Sequence, residues 1–198
     1  MKYLKLICLT VFLISISCKE KNENSTELDA RPEIIEILNS KFNGAPIILS
    51  KNEIIKSFGK PTFEKPNCVI FSTLVQNSKE FKYDCFIYDS DSRFGFDIYD
   101  NIGYVSYVSF GSENIKIKTP QIELTNKTTI QEFKKKFPKS YDLRIMDNEN
   151  RIMILSLNDE LLDERKESAN IIELGFEKGT LKYYKYQIAP EYILELNK

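Results

Sequence analysis

Leu49-Ser50-Lys51-Asn52-Glu53-Ile54-Ile55-Lys56-Ser57-Phe58-Gly59-Lys60-Pro61 is the stretch whose reading decides the fold. Ser50 and Glu53 have the spacing of a capping box, in which each residue bonds the backbone N–H of the other. Ile54, Ile55 and Phe58 then form the buried face of a short helix. Gly59 stands where a helix end takes a left-handed residue, and Pro61 prevents continuation. Upstream, Ile47-Ile48-Leu49 reads as a short strand. Further back, Ile34, Ile35, Leu38 and Phe42 recur at helical spacing, so 32–42 is predicted to be a first helix that Asn43-Gly44 ends.

Downstream the pattern changes to strands. Cys68–Val75 and Phe81–Tyr88 are β-rich runs separated by Gln76-Asn77-Ser78-Lys79-Glu80. Phe94–Tyr99 and Tyr104–Phe110 form a second pair around Asp100-Asn101-Ile102-Gly103. Alternation and turn chemistry predict an antiparallel meander. A similar order follows. Ile122-Glu123-Leu124 is a short strand, and Thr125 is the expected cap of a helix with face Ile130, Phe133 and Phe137, ended by Pro138. Strands are expected at Tyr141–Met146, Arg151–Leu157, Ile171–Phe176 and Leu181–Ile188, with a charged loop over 158–170 and a terminal helix within 190–197.

A shift of 75 places Ile47 on Ile122, Leu49 on Leu124, Ser50 on Thr125, Ile55 on Ile130 and Phe58 on Phe133; a shift of 77 places Tyr99 on Phe176 and Tyr104 on Leu181. The expected fold class is α+β, built from two helix-plus-antiparallel-meander repeats at about 46–110 and 121–189. The capped helix, Phe58-Gly59-Lys60-Pro61 and the following meander resemble the β-lactamase-inhibitor-like fold, which includes small outer-membrane lipoproteins of the SmpA type. The resemblance covers 46–189. It implies a β-lactamase-inhibitor-like architecture and a binding or assembly role rather than catalysis.

The N-terminus carries an export signal. Lys2 and Lys5 precede an apolar run from Leu6 to Ile16, and small residues lead to Ser17-Cys18. The run falls short of the ~20 residues of a membrane span. Ser15-Ile16-Ser17-Cys18 resembles the lipobox of bacterial lipoproteins, with Ser15 where Leu is usual. The resemblance implies cleavage of a signal peptide at 1–17, lipidation of Cys18 with palmitate-type acyl chains, and an anchor in the cell envelope. The implied place is the outer membrane, facing the periplasm or the cell surface. Residues 18–31 read as a tether: Leu28 is the one large apolar residue in 19–31, too little to offset ordering entropy. The folded part is expected over 32–198.

Of the four cysteines, Cys8 leaves with the signal and Cys18 takes lipid, so Cys68 and Cys85 remain for the folded part. A turn centred on Gln76-Asn77 would put Cys68 opposite Cys85, Ile70 opposite Tyr83 and Ser72 opposite Phe81, within disulfide reach. An oxidising compartment favours the bridge. The alternative is a pair of buried free thiols.

Composition excludes several chemistries. The chain has no histidine, which removes Ser-His-Asp and Cys-His nucleophile systems and imidazole zinc sites. Its formal net charge is −1, and losing Lys2 and Lys5 takes it to −3, so no basic excess serves nucleic acid. No phosphate-cradling glycine motif is present. Asp89, Asp91, Asp97 and Asp100 form the densest acidic cluster. Without EF-hand spacing they read as hairpin connections rather than a Ca²⁺ site. No cofactor, metal or catalytic residue is expected.

Tyr83, Tyr88, Tyr99, Tyr104, Tyr107 and Tyr184 are the candidate binding face, because aromatics on both faces of a strand can leave one exposed. Half-buried structural tyrosines are the other reading. The expected function is a membrane-anchored, non-enzymatic module that binds a protein or envelope component. An inhibitor or immunity lipoprotein that neutralises a toxin or hydrolase is one alternative. An envelope hydrolase with dispersed carboxylates is the other.

Overall fold

The computed structural model describes residues 33, 35–71, 80–89, 93–142, 152–155, 171–188 and 193. The signal segment, Cys18 and the tether lie outside them. Contacts divide the chain after Arg31, and every described element belongs to the second unit, Pro32–Lys198.

The described residues of 33–42 do not form the first expected helix. Ile35 and Ile37 are 1% and 4% exposed while Leu38 is 50% exposed, an alternation rather than a helical face. The segment instead leads into a hairpin of β1 (Lys41–Phe42) and β2 (Ala45–Pro46). Asn43 and Gly44 have φ of 49° and 92°. Two consecutive positive φ values make the type I′ turn that Asn-Gly favours and that matches strand twist. The capped segment folds as expected. β3 (Ile48–Ser50) runs into α1 (Lys51–Phe58), and both halves of the capping box form. Gly59, at φ 79°, donates its N–H to the Ile55 carbonyl at 2.9 Å. Ile54 is buried and Phe58 half-buried, but Ile55 is 40% exposed and does not share the buried face.

The meander is β4 (Phe63–Phe71), β5 (Glu80–Asp89), β6 (Arg93–Tyr99) and β7 (Ile102–Ser109). β4 begins at Phe63, ahead of the expected start at Cys68, and the end of the expected Cys68–Val75 strand lies outside the described residues. Asp100 and Asn101, with φ of 48° and 67°, close the β6–β7 hairpin in two residues. One edge of β7 is shared: β3 pairs with its first half, Leu49 facing Gly103.

β8 (Ile117–Lys118) and β9 (Glu123–Leu124) join β1 and β2 in a small sheet of order β2-β1-β8-β9. The next helix is α2 (Ile130–Lys136), and its cap is Thr129, whose hydroxyl accepts from Glu132 N–H at 3.1 Å. The expected cap, Thr125, sits in a turn whose N–H donates to Thr128. α2 ends just ahead of Pro138, as expected, but Pro138 also begins a further helix, α3 (Pro138–Asp142), where its missing N–H costs nothing. Tyr141 is therefore helical, and the rest of the strand expected at 141–146 lies outside the described residues, Asp142 apart. So do the loop over 158–170 and, apart from buried Ile193, the helix expected within 190–197.

β10 (Ile152–Leu155), β11 (Ile171–Glu177) and β12 (Thr180–Gln187) complete a sheet of order β10-β11-β12-β7-β6-β5-β4, with β3 beside β7. β12 takes the second half of the β7 edge, Tyr184 facing Val108. The fold is α+β, mostly antiparallel sheet with short helices. Its centre is aromatic: the rings of Phe42, Phe58, Tyr88, Phe94 and Phe96 pack together along one face, Phe42 and Phe96 with centroids 6.4 Å apart and Tyr88 and Phe94 stacked at 4.8 Å.

The two helix starts are bonded alike, though not in the register of a 75-residue shift. Ser50 pairs with Ile102, and Lys51 N–H donates to Asn101 O at 2.8 Å. Thr129 bridges Thr180, and Ile130 N–H donates to Gly179 O at 2.9 Å. Phe133 therefore matches Ile54 in its distance from the cap, and Phe137 matches Phe58.

Candidate functional site

The tyrosines do not form an exposed face. Tyr83, Tyr88, Tyr104 and Tyr184 are all buried, at 6% exposure or less. Tyr99 and Tyr107 are half-buried. The phenols serve the interior: Tyr88 donates to Gly59 O at 3.0 Å, Tyr83 to Ile188 O, and Tyr104 to Asp97 Oδ2 at 3.3 Å. Tyr104 and Val105 are neighbours and both buried, so the sheet is covered on both sides there. Aromatics on two faces of a strand mark a doubly covered sheet in this chain.

Cys68 and Cys85 form a disulfide with Cα atoms 6.1 Å apart. The register differs from the expected one. Cys68 faces Tyr83, Ile70 faces Phe81, and Lys65 faces Cys85. A bulge between Lys65 and Cys68, with Asn67 at φ 51°, adds one residue to β4. The cysteines are thus diagonal neighbours rather than opposed ones. The acidic cluster is not brought together: Asp89 and Asp100 are exposed at opposite ends of their hairpins, Asp97 is buried, and Asp91 lies outside the described residues. Among the described residues no group of three His, Cys, Asp or Glu could hold a metal ion.

Strand pairing builds a different site. Cys85 faces Asp97 and Asp97 faces Tyr104, so β5, β6 and β7 set three side chains in one row. Ile87 faces Gly95, which faces Tyr107, so this second row lies on the same face of β6. Cys85 and Asp97 of the first row and all three residues of the second border a cavity of about 340 Å³, to which Arg93 and Ser106 also contribute. Gly95 is its floor. A Cβ there would meet the Phe86 carbonyl at 3.4 Å and Ser106 Oγ at 3.8 Å, so the main chain accepts one, and a longer side chain would enter the space.

Asp97 is the buried charge of the site, 7% exposed. Burial pushes its carboxyl up to about 6, against hydrogen bonds from Ser106 and Tyr104 that pull the other way. Burial, then the charge of Asp97, push the Tyr104 phenol well up, which keeps it a donor. Cys85 Sγ lies 3.6 Å from Asp97 Oδ1. The arrangement offers one oriented carboxylate at one end, a guanidinium at the other, and an open floor between.

Arg93-Phe94-Gly95-Phe96-Asp97 carries a signal that the acidic-cluster reading hides. A glycine inside a strand marks a place where something approaches the backbone, and the charges two residues either side share its face. Grouping Asp97 with the turn aspartates masks this, because the strand holds it apart from them. No known protein family, curated protein or solved structure matches the chain.

Proposed function

We propose that the chain is a lipid-anchored protein of the bacterial cell envelope whose folded part is a non-enzymatic binding module. The observation that carries it is the signal ending in Ser17-Cys18, followed by a tether poor in apolar residues and a sheet domain holding a disulfide. The lipid on Cys18 holds the module at the outer membrane, in a compartment where a disulfide persists. The tether, thirteen residues at 19–31, lets the domain work up to about 45 Å from the lipid.

The module is two copies of one helix-plus-meander unit in a β-lactamase-inhibitor-like, SmpA-type arrangement. The matching bonds at Lys51 and Ile130 support this, as does the antiparallel seam between β7 and β12. The repeat relation then runs from Ser50 to Thr129 and from Asn101 to Gly179. A binding module fits a site whose one buried carboxylate is oriented by hydrogen bonds from Ser106 and Tyr104.

Cells expressing the full chain are labelled with radiolabelled palmitate, and the envelope is fractionated. The wild type is expected to carry label and partition into detergent. Cys18→Ala should lose the label and accumulate as unprocessed precursor or soluble chain. Equal labelling of both would defeat the proposal.

A further inference from the structure

The cavity over Gly95 is a binding site, and the geometry points to its ligand class: a small zwitterion, an α-amino acid or short peptide, with its ammonium on Asp97 and its carboxylate on Arg93. This rests on the binding-module reading above and names what the module takes.

Arg93, Gly95 and Asp97 alternate along β6 and so share one face. Four residues of strand separate the Cα atoms of Arg93 and Asp97 by about 13 Å. Both charged residues line the cavity on either side of Gly95, and the length of the arginine side chain shortens the span that a small zwitterion must bridge.

Each end has the chemistry it needs. An ionised carboxylate has about four acceptor positions. Tyr104 and Ser106 use part of that capacity at Asp97. The rest is available to an ammonium. Among the described residues no salt bridge involves Asp97, and a buried carboxylate without a cation is costly. A ligand ammonium removes that cost. Arg93 is exposed at the other end of the cavity, and guanidinium binds carboxylate through two parallel N–H bonds. Ile87 and Tyr107 border the floor and offer apolar contact to the ligand's side chain. About 340 Å³ lies at the small end of the ligand-pocket range of roughly 300–1,000 Å³, which restricts the occupant to a small molecule.

The mature lipidated chain in detergent is titrated by calorimetry with the common L-α-amino acids and a set of dipeptides. At least one should bind at sub-millimolar concentration. Its N-acetyl and its carboxamide analogue should each bind at least tenfold more weakly. Asp97→Asn should erase the difference that N-acetylation makes, and Arg93→Gln the difference that amidation makes. Gly95→Leu should abolish binding while the melting temperature and the Cys68–Cys85 bridge persist. Arg93 is exposed, so its variant keeps the test informative if changes at Gly95 or Asp97 disturb folding. Absence of binding across the panel at millimolar concentration overturns the inference, as does equal binding of the blocked analogues or no effect of Arg93→Gln. Palmitate labelling is read on the same preparation. A failed ligand with intact labelling strikes the zwitterion alone, and lost labelling with intact binding strikes the anchor alone.

Discussion

Asp97 shows what one buried side chain does to the whole balance of stability. Its carboxyl rises from an ordinary 3.8 to about 6, chiefly through burial. Tyr104 on β7 donates to it, Tyr83 on β5 and Tyr186 on β12 pack against that Tyr104, and Arg93 stands on its own strand face. A carboxyl whose folded value exceeds its unfolded one binds the extra proton in the folded state. Its contribution is therefore greatest below pH 4, falls as pH rises from about 4 to about 6, and stays at its lower level above that. The two-unit shift corresponds to about 2–3 kcal/mol. Asp97→Asn should lack this slope, so the stability difference between variant and wild type should grow in the variant's favour from pH 4 to pH 7. Urea titrations at several pH values measure it, and parallel pH curves would show that Asp97 does not titrate in this window. The sequence displays the residue but not its state. Arg93-Phe94-Gly95-Phe96-Asp97 reads equally as a strand with a polar outer face. Only the pairing of Cys85, Asp97 and Tyr104 across three strands makes that face an interior.

Elements are legible in the sequence where their chemistry is local. The capping box, the glycine at the end of α1 and the place of the turn at Asp100-Asn101, which closes in two residues rather than the four expected, all depend on neighbours in sequence. Elements set by distant partners are not legible. Ile34, Ile35, Ile37 and Leu38 satisfy both a helical and an alternating pattern, and Asn43-Gly44 suits both a helix end and a hairpin. The pairing of Lys41 with Lys118 settles the choice from a distant part of the chain. At α2, Thr125, Thr128 and Thr129 are all possible caps, and Gly179 selects Thr129 by accepting from Ile130 N–H. Thr129→Ala should cost about 1 kcal/mol, and Ser50→Ala at least as much because it also removes the bond that the Ser50 hydroxyl donates to the Glu53 carboxylate. Chemical denaturation of the two variants gives the numbers. A silent Thr129→Ala would place the start of the helix elsewhere.

At the scale of the molecule, the seam between β7 and β12 raises the question of whether the halves on either side of it unfold separately. The edge of β7 is divided between β3 of the first half and β12 of the second, so part of that edge is covered only while the halves are joined. The N-terminal segment ties them again. Lys41 and Phe42 pair with β8, and Glu33 accepts from the N–H groups of Lys139 and Ser140 at the start of α3. Although burial opposes ionisation of Glu33, the hydrogen bonds from Ser140 and Lys139 hold its carboxyl below the usual range. That link is thus strongest above the ordinary carboxylate range and weakens as acid protonates it. Separating the halves would expose the β7–β12 seam and these ties together, which favours one cooperative transition. The chain has eleven tyrosines and no tryptophan, so tyrosine fluorescence samples both halves while circular dichroism follows the sheet. The two signals should share one midpoint in urea, and calorimetric and van't Hoff enthalpies should agree. Glu33→Ala should move that single midpoint down by the equivalent of about 1 kcal/mol without producing a shoulder. Two resolved transitions in the wild type would mean that the halves stand alone and that the seam contributes little.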